Sequence, residues 1–446
     1  MARRRYPPGP TGVAILGMLA GLRQGRLELY TQLAREYGDL VCFRFLHRRV
    51  YLASHPDLIE QVLVSDARHY IKHFGARMYK PVLGNGLVTS EGDFWLRQRK
   101  LAQPAFLKSR VLAYASVMAE LTERMISTWT EGQQIDIHQQ FSGLTSAIAL
   151  KTLFGLDEPG DRETFVVALR EAFTQLTGRL FSWNGLLPLW FPTPANRRIQ
   201  QAIRHLNEVV DGYIARGKSR TEPGDDLLSR LITARDDQGL PMSEQQLRDE
   251  AMTLYLAGHE TTALTLSWTW YLLAQHPEVE ERLVAEWSEV LRGRTPTAED
   301  LLRLPYTDAV ILEAMRLYPP VYLIGREATR DLELGGYRVP RGTTIFMSQW
   351  VSHRDPRYFG PDAEEFRPER WLDGLLQRIP KYAYYPFGGG PRVCIGNTFA
   401  LMEATILLAG VGQKFRFTLN PVPPVALNPQ ITLLPRDGIP VTLRRR

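Results

Sequence analysis

The stretch Phe387-Gly388-Gly389-Gly390-Pro391-Arg392-Val393-Cys394-Ile395-Gly396 decides how the rest of the chain is read. Three glycines and a proline let the backbone turn tightly around one sulfur, and an apolar helical run from Asn397 to Val411 begins just after it. A helix N-terminus stabilises a thiolate, because its unpaired amides and the positive end of its dipole favour negative charge. Catalytic thiols normally work with a histidine, and none lies near Cys394 in sequence. Metal ligation suits this thiol better. The only other cysteine, Cys42, lies far upstream in an alternating, strand-like segment, so thiolates alone assemble neither a zinc nor an iron–sulfur site. A haem iron, which takes a single protein thiolate, meets the requirement.

Phe387, Gly390, Arg392, Cys394 and Gly396 stand at the offsets of Phe-x-x-Gly-x-Arg-x-Cys-x-Gly, and here the chain resembles the cytochrome P450 family of haem-thiolate monooxygenases. The resemblance implies a mainly α fold with a small β region, in which a long central helix crosses a haem b held by Cys394. It also implies a role for Arg392 at a haem propionate. Other residues extend the match. Trp95 and Arg99, four apart and on one helical face, match the family's Trp-x-x-x-Arg, whose indole and guanidinium reach a propionate; a fixed-charge donor fork suits a carboxylate. Arg326 aligns with a further propionate-binding position.

Ser243 and Gln246 form a capping box, and no proline follows before about Gln275, which predicts a helix of roughly 32 residues. Inside it stands Ala257-Gly258-His259-Glu260-Thr261-Thr262. Glycine inside a helix costs about 1 kcal/mol relative to alanine, so a local purpose is expected. This run resembles the family's (Ala/Gly)-Gly-x-(Asp/Glu)-Thr, which loosens the helix to admit dioxygen and water. Ala257, Gly258 and Thr261 share the face that the resemblance sets over the iron. Thr261 is then the hydroxyl that holds the activated oxygen and a water, and Glu260 the carboxyl that relays protons. His259 points elsewhere.

Glu313 and Arg316 match the family's Glu-x-x-Arg on a helix from Pro305 to Tyr318, and Phe366-Arg367-Pro368-Glu369-Arg370-Trp371 matches its Pro-Glu-Arg-Phe-like segment with Trp for Phe. Arg370 completes a structural ion triad with Glu313 and Arg316. Substrate contacts are expected from Phe74, Met78, Val82, Leu87 and Val88 in a loop over 74–90, from Thr253 and Leu256 on the long helix, and from Val321, Tyr322 and Leu323. An aromatic and aliphatic stripe (Phe173, Leu176, Leu180, Phe181, Trp183) reads as core packing.

The 446 residues are 44% hydrophobic and 23% charged, enough for a large core. Without a linker or repeat, they are read as one domain over 1–446 with β-rich parts at roughly 38–70 and 321–350. Leu40 to Phe45 and Arg49 to Ala53 read as paired strands, and Leu334 to Tyr337 with Gly342 to Trp350 as a hairpin. The apolar patch Val13 to Ala20 is far short of the ~20 residues of a membrane span, so no transmembrane segment is expected and the chain reads as soluble and cytoplasmic. The Pro7-Pro8-Gly9-Pro10 run resembles the hinge that follows the anchor of membrane-bound members. A net charge of +6 without a recognition motif argues against nucleic acid. Arg97, Arg99, Lys100, Lys108 and Arg110 instead suggest docking of an acidic ferredoxin or flavodoxin fed by an NAD(P)H reductase. The expected reaction is insertion of one oxygen atom of O2 into an apolar substrate such as a fatty acid, terpene or steroid. A peroxide-driven peroxygenase or haem-dependent isomerase is the alternative, and a non-catalytic haem sensor has no use for the Glu260-Thr261 pair.

Overall fold

The computed structural model describes residues 6–10, 25–45, 48–156, 159–180, 187–219, 224–420 and 424–446. The Val13 to Ala20 patch, Phe181 and Trp183 lie outside the described residues, as does the side chain of Leu180. The chain divides into two compact units, one of residues 1–73, 118–144 and 261–446, the other of 74–117 and 145–260.

In the first unit, α1 (Arg26–Tyr37) buries Leu27, Tyr30 and Leu33 at helical spacing and stops at Gly38, whose φ of 92° ends the helix. It leads into β1 (Leu40–Phe45) and β2 (Arg48–Ala53), an antiparallel pair in which Leu40 faces Ala53. Pro56 opens the next helix, with the His55 ring nitrogen accepting the Asp57 amide as its cap. The short β3 (Tyr70–Lys72) follows.

The second unit begins at Phe74. Residues 74–90, read from sequence as a loop, contain two single-turn helices, Phe74–Arg77 and Lys80–Leu83, before turning at Gly84. One helical turn is too short to show periodicity, and Pro81 pre-sets the second of them. Here too lie α2 (Gly92–Ala102) and the long helices Pro159–Leu180 and Pro194–Lys218. The helix at Leu227–Thr233 is capped by Asp226, which accepts the Ser229 amide at 2.8 Å.

The capping box is present at the start of the longest helix, α3 (Glu244–Leu273, 30 residues): Ser243 Oγ accepts the Gln246 amide at 3.2 Å, and Gln246 Oε1 accepts the Ser243 amide at 2.7 Å. At 1.5 Å per residue it is roughly 45 Å long. The loosening expected at 257–262 does not interrupt it. Instead the His259 carbonyl accepts the Thr145 hydroxyl at 3.0 Å, a side-chain donor inserted beside the backbone ladder.

The first unit, which takes in α3 from Thr261 onward, also holds α4 (Pro305–Leu317), stopped ahead of Pro319 and Pro320, and β4 (Ile324–Ala328) and β5 (Thr344–Met347). These complete a five-stranded sheet of order β1-β2-β5-β4-β3, antiparallel except for β2 and β5. The 342–350 stretch is therefore not the second arm of a hairpin. Its strand joins β2, while the hairpin is closed locally by Leu332–Leu334 and Tyr337–Val339 around Gly335-Gly336. Then comes α5 (Asn397–Gly412), buried from Met402 onward, and short strands from Phe415–Leu419 to Pro440–Arg445 end the described chain. Among the described residues no helix is long and apolar enough to cross a membrane.

Candidate active site

The cysteine loop is built as its composition requires. Gly388 and Gly390 adopt φ of 71° and 63°, and a Cβ on Gly390 would fall 1.8 Å from the Leu63 carbonyl oxygen, so both a positive φ and a close backbone approach demand glycine there. The Val393 amide bonds the Gly390 carbonyl at 3.1 Å and the Cys394 amide bonds the Phe387 carbonyl at 3.0 Å, closing the loop. The result is an exposed Cys394, three residues before the first residue of α5. Phe387, Arg392 and Gly396 are half-buried around it in sequence, with Gly396 as the N-cap.

Thr261 lies in the same unit as Cys394. It is half-buried, and its carbonyl accepts the Thr265 hydroxyl at 3.0 Å. Beyond it α3 is buried from Thr262 to Leu273, whereas Leu256, Gly258 and Glu260 are half-buried and Ala257 is exposed. A Cβ added at Gly258 would meet no protein atom within 4 Å. Ala257 and Gly258 thus keep this stretch of the helix low. In the other unit Trp95 is buried and Arg99 half-buried, one turn apart on α2. His259 stacks on Tyr255 at 5.4 Å.

Arg326 is buried on β4, with Nη1 bonded to the Gly325 carbonyl at 3.1 Å. The register places Lys72 of β3 directly opposite it. Directly opposed residues of an antiparallel pair project from the same face, so the two cations share one side of the sheet. Lys72 is a candidate propionate contact that the sequence reading missed, since only the strand register reveals it.

Glu313 is the hub of the predicted triad. Arg316 donates to it through Nε at 2.9 Å and Nη2 at 2.8 Å, and Arg370 through Nε at 2.9 Å, all three fully or nearly fully buried. The substitution of Trp for Phe adds a fourth member, for Trp371 Nε1 donates to Glu313 Oε2 at 2.8 Å.

The substrate candidates separate by burial. Met78 and Val88 are exposed; Phe74, Leu256, Val321 and Leu323 are half-buried; Val82, Leu87 and Thr253 are buried, the last beneath Gly86. Tyr322 is packed beside α1 and the sheet, with its hydroxyl donating to the Gln430 carbonyl at 2.8 Å.

Two buried acids also escaped the sequence reading. Glu403 on α5 is fully buried, and neither carboxyl oxygen makes a hydrogen bond of ordinary geometry. Burial pushes it to about 8, with the Thr262 hydroxyl tempering the rise. Glu250 on α3 is likewise pushed to about 8 by burial, against the lowering effect of the Leu87 amide. Both therefore stay protonated in the folded protein between pH 4.5 and 8, where the unfolded chain releases the proton. Stability is fully present below about pH 4.5 and falls as pH rises through 8, by on the order of 4 kcal/mol for each group. Melting curves against pH should show this loss. In Glu403→Gln the slope should flatten, and an unchanged slope would mean that the acid is already ionised.

A haem fits these residues. One exposed thiol stands ahead of a helix N-terminus, which suits a single axial thiolate, and opposed cations on β3 and β4 suit the propionates. Among the described residues no cluster of three or more His, Cys, Asp or Glu offers an all-protein metal site.

Comparison with known proteins agrees. The cytochrome P450 family model matches residues 7–442. Cyclooctatin synthase of Streptomyces melanosporofaciens is 38% identical over 435 residues, 96% of this chain and 92% of the relative. Cyclooctat-9-en-7-ol 5-monooxygenase of the same organism is 37% identical, covering 94% and 90%, and pentalenene oxygenase of Streptomyces avermitilis is 35% identical, covering 94% and 93%. With the glycine-built cysteine loop and a match that leaves out only the chain's ends, this protein belongs to the cytochrome P450 family, as a haem-thiolate monooxygenase.

Proposed function

We propose that this cytochrome P450 inserts one oxygen atom of O2 into a polycyclic terpene, using electrons from a ferredoxin or flavodoxin reduced at the expense of NAD(P)H. The exposed Cys394 thiol ahead of α5 carries this reading. The names of the relatives, which act on cyclooctatin-type and pentalenene-type compounds, support the substrate class. The family match runs across both compact units, which supports reading them as one catalytic domain, and dependence on NAD(P)H supports a cytoplasmic location.

Bound haem b supplies the oxygen-activating iron, and a thiolate ligand favours O–O cleavage. The chain supplies the rest. Cys394 holds the iron, while Lys72, Trp95, Arg99, Arg326 and Arg392 hold the propionates. Ala257 and Gly258 keep the α3 face low, Thr261 holds a water and a proton at its Oγ1, and Glu260 brings protons from solvent. For redox docking, Arg97 and Lys100 are engaged with Asp236 at 2.6 Å and Asp237 at 2.9 Å, which leaves the exposed Lys108 and Arg110 as the stronger candidates.

Incubation with NADPH, ferredoxin, ferredoxin reductase, ¹⁸O₂ and a panel of cyclic sesquiterpenes, diterpene alcohols and fatty acids tests the assignment. One labelled oxygen in a terpene product is expected, and turnover of fatty acids alone would overturn the substrate class. Thr261→Ala is expected to keep haem and substrate binding while diverting most reducing equivalents to hydrogen peroxide. Unchanged coupling, measured as product per NADPH, would remove the relay role.

A further inference from the structure

Within the second unit, residues 84–90 lie directly on the first half of α3. Asp249 Oδ2 accepts the Asn85 amide at 2.7 Å and Glu250 Oε2 accepts the Leu87 amide at 3.0 Å. Between these bonds Gly86 is pressed onto the helix: a Cβ there would lie 2.1 Å from Thr253 Oγ1 and 2.5 Å from the Asp249 carbonyl oxygen. The segment is braced internally by the Thr89 hydroxyl, which donates to the Gly84 carbonyl at 2.6 Å. Successive carboxyls of one helix thus hold alternate amides of one segment, with a glycine where the two backbones meet.

We propose that Glu250, with Asp249 beside it, is a positioning residue that fixes the backbone of Leu87 and Val88 and so sets the shape of bulky ligand the enzyme accepts. The inference rests on the reading of 74–90 as the roof of the substrate site. Glu250 is 1% exposed, and its second oxygen has no hydrogen-bond partner. A buried carboxyl held by so few contacts is neutral at pH 7, in keeping with its rise to about 8, and Asp249 is the charged neighbour acting on it. Asp249 is itself raised by burial, accepts from Gln245 Nε2 at 2.6 Å, and feels the cations Arg248 and Lys80. Arg248 is already clamped on both oxygens of Asp211 at 2.6 Å, so Asp249 does not have it to itself.

Because neutral Glu250 acts as an acceptor, Glu250→Gln should preserve the arrangement, whereas Glu250→Leu strands the Leu87 amide and Gly86→Ala forces the segment away by a different route. Hydrogen exchange of the haem-loaded protein should show faster exchange at residues 84–90 in the Leu and Ala variants and wild-type protection in the Gln variant. Spectral titration with two iron-directed probes reads the consequence. Imidazole, which is small, should bind all variants alike. Clotrimazole, a bulky azole, should bind the Leu and Ala variants about tenfold more weakly, as expected if the competent roof is populated about a tenth of the time. Equal weakening of both probes, or unchanged clotrimazole affinity in both variants, would overturn the proposal. Failure of the wild type to bind imidazole at its iron would instead overturn the haem-thiolate reading.

Discussion

Cys394→Ser is expected to abolish the red-shifted Soret band of the reduced carbonyl complex and to end monooxygenase turnover. The alcohol of serine is far weaker as an acid than a thiol, and its oxygen is a hard donor that cannot push electron density to the iron as sulfur does. Loss of residues that merely orient a metal ligand typically costs about 10–100-fold in affinity or activity, so loss of the ligand itself should exceed that. The variant should still fold, because the loop around residue 394 is closed by backbone bonds, from the Cys394 amide to the Phe387 carbonyl and from Val393 to Gly390. Cys42→Ser is the control. That thiol is pushed up by burial, stays neutral, and belongs to the sheet core, so its replacement should leave the carbonyl spectrum unchanged. A red-shifted band that survives Cys394→Ser would mean that another residue ligates the iron.

What was legible in the sequence was whatever is written locally. The cap of α3 is two residues three apart, α1 is a spacing ended by a glycine, and β1 is an alternating run after Gly38; each formed where local chemistry placed it. The Glu313 triad was legible because a carboxyl and guanidinium on one helix and an arginine after a proline recur together as motifs. Non-local pairing was not. Residues 342–350 carry strand composition, but nothing in them says that Thr344 pairs with Val50 rather than with the neighbouring hairpin. Lys72 becomes interesting only once the register sets it across from Arg326. Glu403 did leave a local signal, being the single charged residue in α5, and an acid alone in an apolar helix asks where its charge goes.

Glu313→Gln is expected to destabilise the fold by roughly 3–5 kcal/mol, because it removes the carboxylate that two buried guanidiniums share. Beyond Glu313, Arg316 donates to the His353 carbonyl at 2.9 Å and the Glu365 carbonyl at 3.0 Å, and Arg370 to the Phe359 carbonyl at 2.8 Å and to Asp362 Oδ2 at 3.5 Å, so Arg370 has a second carboxylate while Arg316 leans on carbonyl dipoles. Glutamine keeps the volume but presents a donor NH2 to neighbours that are themselves donors, so repulsion replaces a bond on at least one side. Trp371→Phe separates charge from packing. It removes a single bond to a charged acceptor, worth about 1.5–3 kcal/mol, and leaves the Arg316 and Arg370 bonds to Glu313 in place. Thermal melts of the haem-loaded variants should therefore rank wild type above Trp371→Phe and Trp371→Phe above Glu313→Gln. The order also bears on role. Glu313 bonds only to elements of its own unit and to no residue assigned here to oxygen or proton handling, so any Glu313→Gln protein that does fold with haem should keep its product per NADPH. A folded variant that instead lost coupling would place Glu313 in the chemistry, and melting within about 1 kcal/mol of wild type would show that the buried arginines find other compensation.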